Sequence, residues 1–179
     1  MNKTLQIALE SYIKDTENYE TNYTLANVYQ DLGQTASAIL YFLRCAERTH
    51  IPELSYECLL RMGNCFAAQG RRANTIKGMY MQAIMLLPNR PEAYFLLARM
   101  QERDKKFMDA YVTASLGLKM SNIELPYLRG YTEYPGRYGL LFEKAVSAWW
   151  WGREEESRIM FRQIADKYYD VLDPIHLES

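Results

Sequence analysis

Residues 82–94, with the sequence QAIMLLPNRPEAY, carry the clearest structural signal in this chain. An apolar stretch with helical spacing ends at Pro88, and another begins after Pro91. Proline stops a helix but is tolerated in its first turn, so the two prolines mark the end of one helix and the start of the next. Connections of only a few residues make successive helices pack antiparallel. We therefore predict an all-α protein in which this stretch separates two helix hairpins.

The same pair of helices recurs along the chain. The first helix of each pair carries a large apolar residue followed by a small one, and successive small residues are 37 and 35 positions apart. These pairs are Leu25-Ala26, Met62-Gly63 and Leu97-Ala98. The second helices carry an apolar marker at Ala38, Ile76 and Ala110, at intervals of 38 and 34. Such a period indicates an array of structural repeats.

This pattern resembles the tetratricopeptide repeat, whose consensus reads W-x2-L-G-x2-Y, then A-x3-F, then P, over about 34 residues. The resemblance implies an all-α, right-handed superhelical solenoid of antiparallel helix hairpins. Ala26, Gly63 and Ala98 would let the two helices of a hairpin approach closely. Aromatic side chains such as Tyr29 and Phe66 would fill the spaces between hairpins.

We expect a single domain over residues 1–179. Its predicted parts are a capping helix (2–15), three repeats (19–50, 55–88 and 91–119), a connector (120–136), a divergent fourth hairpin (137–169) and a tail (170–179). The match to the repeat pattern weakens after Leu118, where the connector begins. The order of repeat, connector and the helix YGLLFEKAVSAWWWG is similar to tetratricopeptide segments that accompany bacterial and phage glycosyltransferase-type proteins, and it implies association rather than activity.

The residue types argue against an enzyme. The chain has only two histidines, His50 and His176, and no glycine-rich phosphate loop. Cys58 and Cys65 are seven positions apart, which lacks the two-residue spacing of a zinc knuckle and favours buried packing thiols. We predict no catalytic residue, no cofactor and no metal.

Charge and hydrophobicity limit the partners. The 21 Lys and Arg residues against 22 Asp and Glu residues give a net charge of −1, so no general field attracts a nucleic acid or an anionic membrane. No run approaches the roughly 20 apolar residues that cross a bilayer. The first residues lack the unbroken apolar centre of a secretory signal, and an odd number of cysteines suits a reducing compartment. The expected location is cytoplasmic.

Tetratricopeptide arrays bind extended peptides in the concave groove formed by their first helices. By this resemblance, the exposed positions of the groove are expected to be Glu20, Tyr23, Asn27, Gln30, Glu57, Leu60, Arg61, Asn64, Phe95, Arg99, Glu102 and Arg103. We assign the partner contacts to Tyr23, Asn27, Arg61, Asn64, Arg99 and Arg103. The alternative is a hydrated groove without a ligand.

Aromatic residues concentrate near the end of the chain and suggest a second contact surface at Tyr131, Tyr134 and Trp150. Consecutive residues on a helix point about 100° apart, so at least one of Trp149–Trp151 should lie near the surface. The alternative is that these aromatic side chains fill the core beneath the connector.

The leading prediction is a non-catalytic scaffold that binds a protein or peptide in the concave groove. An alternative is an accessory module of a glycosyltransferase, contacting that enzyme or its glycan acceptor. The sequence leaves the identity of the partner, the oligomeric state and the pathway open.

Overall fold

The computed structural model describes residues 2–70, 72–121, 125–130 and 132–171. These residues form nine α-helices and a short 3-10 helix (Tyr169–Val171), and no strand. The helices are α1 (Lys3–Lys14), α2 (Tyr19–Asp31), α3 (Thr35–Arg48), α4 (Pro52–Gln69), α5 (Ala73–Leu86), α6 (Glu92–Arg103), α7 (Phe107–Met120), α8 (Arg137–Trp150) and α9 (Glu154–Tyr168). The predicted all-α class is confirmed.

Local chemistry explains where the helices begin. The side chain of Asn18 accepts hydrogen bonds from the backbone N–H groups of Glu20 and Thr21 and so caps α2. Helix α4 begins at Pro52, whose fixed φ suits the first helical position. This start lies three residues before the predicted beginning of that repeat at residue 55.

Left-handed residues make the tight turns inside the hairpins. Gly33, Gly70 and Gly152 adopt φ values of 71°, 72° and 83°, which cost glycine little because it has no Cβ. The turn between α6 and α7 uses Lys105 at the corresponding place, with φ of 60°. Each of these hairpin turns therefore contains a residue with positive φ, although one of them lacks glycine.

The chain forms two compact units. Unit 1 consists of residues 1–88 and 126–132 and contains α1 to α5, whereas unit 2 consists of residues 89–125 and 133–179 and contains α6 to α9. Unit 1 has the hairpins α2/α3 and α4/α5, and unit 2 has α6/α7 and α8/α9. Residues 126–132 belong to unit 1 although they follow α7 of unit 2 in sequence.

The core of unit 1 contains all three cysteines. Cys45, Cys58 and Cys65 are buried in one cluster together with Phe42 and Met62. Burial raises the pKa of the Cys65 thiol to about 11, so this thiol is neutral at physiological pH. The cysteines of this core are packing residues.

Gly63 of α4 supports a close contact between the helices of its hairpin. A Cβ added at Gly63 would overlap the ring of Tyr80 on α5. We expect Gly63→Leu to lower the free energy of unfolding by about 1–3 kcal/mol, because the extra side chain overpacks this contact. Urea denaturation followed by circular dichroism measures the change.

Gly78 of α5 provides a matched control, because a Cβ added there meets nothing within 4 Å. Gly78→Ala should leave the stability unchanged or raise it by up to about 1 kcal/mol, since alanine favours a helix interior more than glycine does. An unaltered denaturation midpoint for Gly63→Leu would contradict the predicted role of this glycine.

Candidate functional site

A buried carboxylate lies at the centre of the surface that α2 and α4 form in unit 1. Glu57 is only 1% exposed. Its Oε1 accepts hydrogen bonds from the hydroxyl of Tyr23 on α2 (2.5 Å) and from Nε of Arg61, one turn further along α4 (3.2 Å). Its Oε2 accepts a bond from the backbone N–H of Arg129 (2.8 Å). Three donors therefore compensate for the loss of water around this charge.

Residues 126–130, which we call the docked segment, meet this surface at Arg129 and Gly130. Besides its backbone bond to Glu57, Arg129 contacts both carboxylate oxygens of Glu20 through one guanidinium nitrogen, at 2.7 and 2.8 Å. The next residue, Gly130, is so close to Arg61 and Glu57 that an added Cβ would overlap the Arg61 guanidinium. The segment is thus held by one main-chain bond, one ion pair and one close glycine contact.

The structure brings together two of the predicted contact residues in unit 1, Tyr23 and Arg61. Burial and the hydrogen bond to Glu57 raise the pKa of Tyr23 well above its ordinary value, so its hydroxyl stays protonated as a donor. Arg61 also donates to the side chain of Gln30 at 2.8 Å. Both residues contribute to the surface that holds the docked segment.

The two predicted asparagines of unit 1 make internal hydrogen bonds. The amide of Asn27 donates to the backbone carbonyl of Tyr23 at 2.8 Å, and the side chain of Asn64 accepts a bond from the hydroxyl of Tyr80 at 2.7 Å. The expectation that Glu57, Leu60 and Phe95 are exposed is wrong, because Glu57 and Leu60 are buried in unit 1 and Phe95 is buried in unit 2.

The predicted contact residues of unit 2, Arg99 and Arg103, are placed around another buried carboxylate. Glu143 of α8 is 7% exposed and accepts no hydrogen bond from any described residue. Burial and the nearby charge of Glu102 raise its pKa to about 7, although the charges of Arg99 and Arg103 oppose this rise. Arg99 also pairs with Glu133 at 3.3 Å.

The predicted aromatic surface is not a single surface. Tyr131 lies outside the described residues. Tyr134 is half-buried against the ring of Phe95, and burial raises the pKa of its hydroxyl. Trp150 is 63% exposed and lies at the other end of α8, a helix about 21 Å long. Tyr134 therefore fits the alternative that these aromatic side chains pack in the core, whereas Trp150 lies on the surface.

Two kinds of feature, a cluster of metal-ligating side chains and a membrane-spanning helix, are absent from the described residues. No group of three or more His, Cys, Asp or Glu side chains among them is arranged to hold a metal ion. Within the same residues, no helix combines the length and the apolar character needed to cross a membrane.

Solved structures with similar folds were found, whereas no family model and no curated protein matches the sequence. MamA matches with a TM-score of 0.72 and 16% identity, over 93% of this chain and 87% of MamA. YrrB, a TPR protein with an unusual peptide-binding site, matches with a TM-score of 0.64 and 14% identity, over 93% of this chain and 77% of YrrB. TTC0263, a thermophilic TPR protein of Thermus thermophilus, matches with a TM-score of 0.60 and 14% identity, over 93% of this chain and 84% of TTC0263.

The chain has the tetratricopeptide-repeat fold. At these identities the likeness establishes the fold alone. Within that fold, α2, α4, α6 and α8 are the first helices of the hairpins, and the predicted contact residues of both units lie on first helices as the resemblance implied.

Three residues of the unit 1 site are absent from the predicted contact set: Glu20 and Glu57, which were expected on the groove surface, and Arg129, which was not singled out. A signal for the glutamates exists in the sequence, because Glu20, Glu57 and Glu92 follow one another at intervals of 37 and 35, the same intervals as the small residues of the tetratricopeptide pattern. No comparable signal marks Arg129, because the connector lies outside the repeats. Its position against Glu20 and Glu57 becomes visible only in the folded chain.

Proposed function

We propose that this protein is a non-catalytic scaffold that binds an extended segment of a partner protein on the α2–α4 surface of unit 1. The observation that carries the proposal is the docked segment, because an irregular stretch of this chain already lies on that surface. YrrB, which shares the fold at 14% identity, is a TPR protein with an unusual peptide-binding site. The similar fold adds support, since tetratricopeptide folds commonly present peptide-binding surfaces.

The contacts of the docked segment indicate the chemistry of the ligand. The bond from a backbone N–H to Glu57 is available to any residue except proline. The ion pair with Glu20 selects a basic side chain at the same position, and the close approach of the next residue to Arg61 selects glycine. We therefore propose that the ligand is an extended peptide with an arginine-glycine step.

A partner of this kind has to displace the docked segment. The ion pair between Arg129 and Glu20 is about half exposed on both sides, and such pairs contribute about 0–1 kcal/mol. The segment is therefore held weakly enough for a partner strand that makes additional contacts to replace it. Its attachment to the same chain gives it a high effective concentration, so it competes with any partner.

A synthetic peptide of residues 125–132, LPYLRGYT, tests this proposal. We expect it to bind the full chain more tightly when Gly130→Ala weakens the docked segment, because the added Cβ has to displace the Arg61 guanidinium from its hydrogen bonds to Glu57 and Gln30. Isothermal titration calorimetry should show an affinity gain of about fivefold or more over the unaltered chain, which corresponds to about 1 kcal/mol.

Two controls make the test specific. A peptide with alanine in place of glycine should bind at least about fivefold more weakly to the same variant. Adding Glu20→Gln should weaken binding by about two- to fivefold, because the peptide loses its ion pair. Equal affinities of both peptides, or no gain from Gly130→Ala, would reject this surface as the binding site.

The other sequence predictions have no supporting contact among the described residues. Association with a glycosyltransferase or its glycan acceptor stays a prediction from the resemblance of the connector and the following helix. The cytoplasmic location and the single-domain organisation likewise stay predictions.

A further inference from the structure

Helices α8 and α9 of unit 2 form an open cavity of about 660 Å³. It is separate from the α2–α4 surface, which belongs to unit 1. Its apolar lining comes from aromatic and aliphatic side chains, and Arg158 and Arg162 of α9 complete it. The apolar residues are Phe142, Val146, Trp149, Trp150 and Phe161. Three of these residues, Trp149, Trp150 and Phe161, are more than one-third exposed. Such a contiguous apolar surface beside charged groups is typical of a docking site.

The internal repeat of unit 2 indicates what kind of element fits this cavity. The left-handed turn residues Lys105 and Gly152 mark the same place in successive hairpins, 47 positions apart. At this offset, Phe142, Trp150 and Phe161 correspond to Phe95, Arg103 and Ala114. Those counterparts lie on α6 and α7, against which α8 packs. The cavity residues thus occupy the positions that receive a helix in the preceding hairpin.

The preceding hairpin, α6/α7, also shows which charges accompany the helix that packs on it. There, the incoming helix α8 presents Glu143 to Arg99 and Arg103 of α6. In the cavity, Arg162 has no ion pair with a described residue. Arg158 makes long, exposed contacts with Glu154 (3.7 Å) and Glu155 (3.8 Å), which stabilise little, and its guanidinium lies 5.6 Å from the ring centre of Trp149 in the cavity lining. Two guanidinium groups are therefore available to a carboxylate on an incoming helix.

We propose that this cavity docks an amphipathic α-helix of a partner protein. The helix presents bulky apolar residues at i, i+3 or i+4, and i+7 to the aromatic lining, and an acidic residue to Arg158 and Arg162. This site lies in unit 2 and is independent of the peptide surface proposed for unit 1, so the failure of either proposal leaves the other standing.

Tryptophan fluorescence offers a local readout, because all three tryptophans of the chain are at positions 149–151. The probe is a synthetic amphipathic helix of about 18 residues with leucines on one face and glutamates beside them. The matched peptide carries lysines in place of the glutamates. We expect the acidic peptide to change the fluorescence and to bind the full chain at least about tenfold more tightly than the basic peptide.

Charge reversal in the cavity separates this proposal from non-specific adsorption. Arg162 is exposed, so Arg162→Glu should fold normally and reverse the preference to the basic peptide. Lys119→Glu, an equivalent reversal at an exposed residue outside the cavity lining, should leave the preference unchanged. Trp150→Ala should weaken binding of the acidic peptide by about tenfold or more, as expected for an anchoring tryptophan.

Four results would overturn the proposal. The first is an unchanged fluorescence with both peptides, and the second is an equal affinity of Arg162→Glu for the two. The third is self-association in sedimentation that Trp150→Ala abolishes, since the occupant is then a second copy of this chain. The fourth is binding that appears only after removal of residues 172–179, since the occupant is then the chain's own segment.

Discussion

Glu57→Ala should lower the free energy of unfolding by about 3–5 kcal/mol, the cost of breaking a buried charge pair by removing one partner. The substitution leaves the guanidinium of Arg61, the hydroxyl of Tyr23 and the backbone N–H of Arg129 without their shared acceptor. Arg61 is itself mostly buried, with 13% of its side chain exposed, so water replaces the carboxylate poorly. Urea denaturation followed by circular dichroism at 222 nm measures the loss.

Two further variants identify the cause of this loss. Glu57→Gln keeps the shape and one acceptor oxygen but removes the charge, so it should fall between the alanine variant and the unaltered chain. Glu20→Ala removes the exposed partner of Arg129 and should cost less than about 1 kcal/mol. If Glu57→Ala proved no more destabilising than Glu20→Ala, the proposed role of Glu57 as the centre of this surface would be wrong.

Glu143 should make the stability of the protein fall as the pH rises from about 4.5 to about 7. Its pKa is raised from 4.5 to about 7 in the folded chain, mainly by burial, so the folded state binds more protons than the unfolded state over this range. Each pKa unit corresponds to 1.36 kcal/mol, so full ionisation of Glu143 costs roughly 3 kcal/mol. This loss is complete above pH 7 and absent below pH 4.5.

The variant Glu143→Gln lacks this titration. We expect it to be more stable than the unaltered chain at pH 8 and to lose the corresponding part of the pH dependence. Glu102→Gln is the matched control, because it removes the neighbouring negative charge and should lower the pKa of Glu143 without removing its carboxyl group. Parallel stability curves for Glu143→Gln and the unaltered chain between pH 4.5 and 8 would refute the prediction.

The two buried glutamates show how the same residue type acquires different properties. Glu57 accepts hydrogen bonds from Tyr23, Arg61 and Arg129, whereas Glu143 has no described donor and faces the carboxylate of Glu102. A sequence motif does not distinguish these environments, because both residues lie on amphipathic first helices. The difference comes from side chains that other helices and the connector bring to them.

The exposure of Trp150 follows from helix geometry, whereas the identity of its neighbours does not. The angle between successive helix residues required at least one of Trp149–Trp151 to lie near the surface, and Trp150 does. The grouping of Trp150 with Tyr134 was not supported, because a whole helix separates them and Tyr134 packs on Phe95. Helical periodicity predicts the direction of a side chain but not which neighbour meets it.

The sequence by itself determined the helix hairpins and the tetratricopeptide fold class. Apolar spacing, small residues such as Gly63 and turn residues such as Gly33 act over a few positions, so their effect on local structure can be predicted from the chain. The tertiary structure decided what the first-helix surface of unit 1 contacts. Arg129 is 72 positions from Glu57 and 109 from Glu20. Contacts at such separations depend on how the whole chain folds, and no local pattern encodes them.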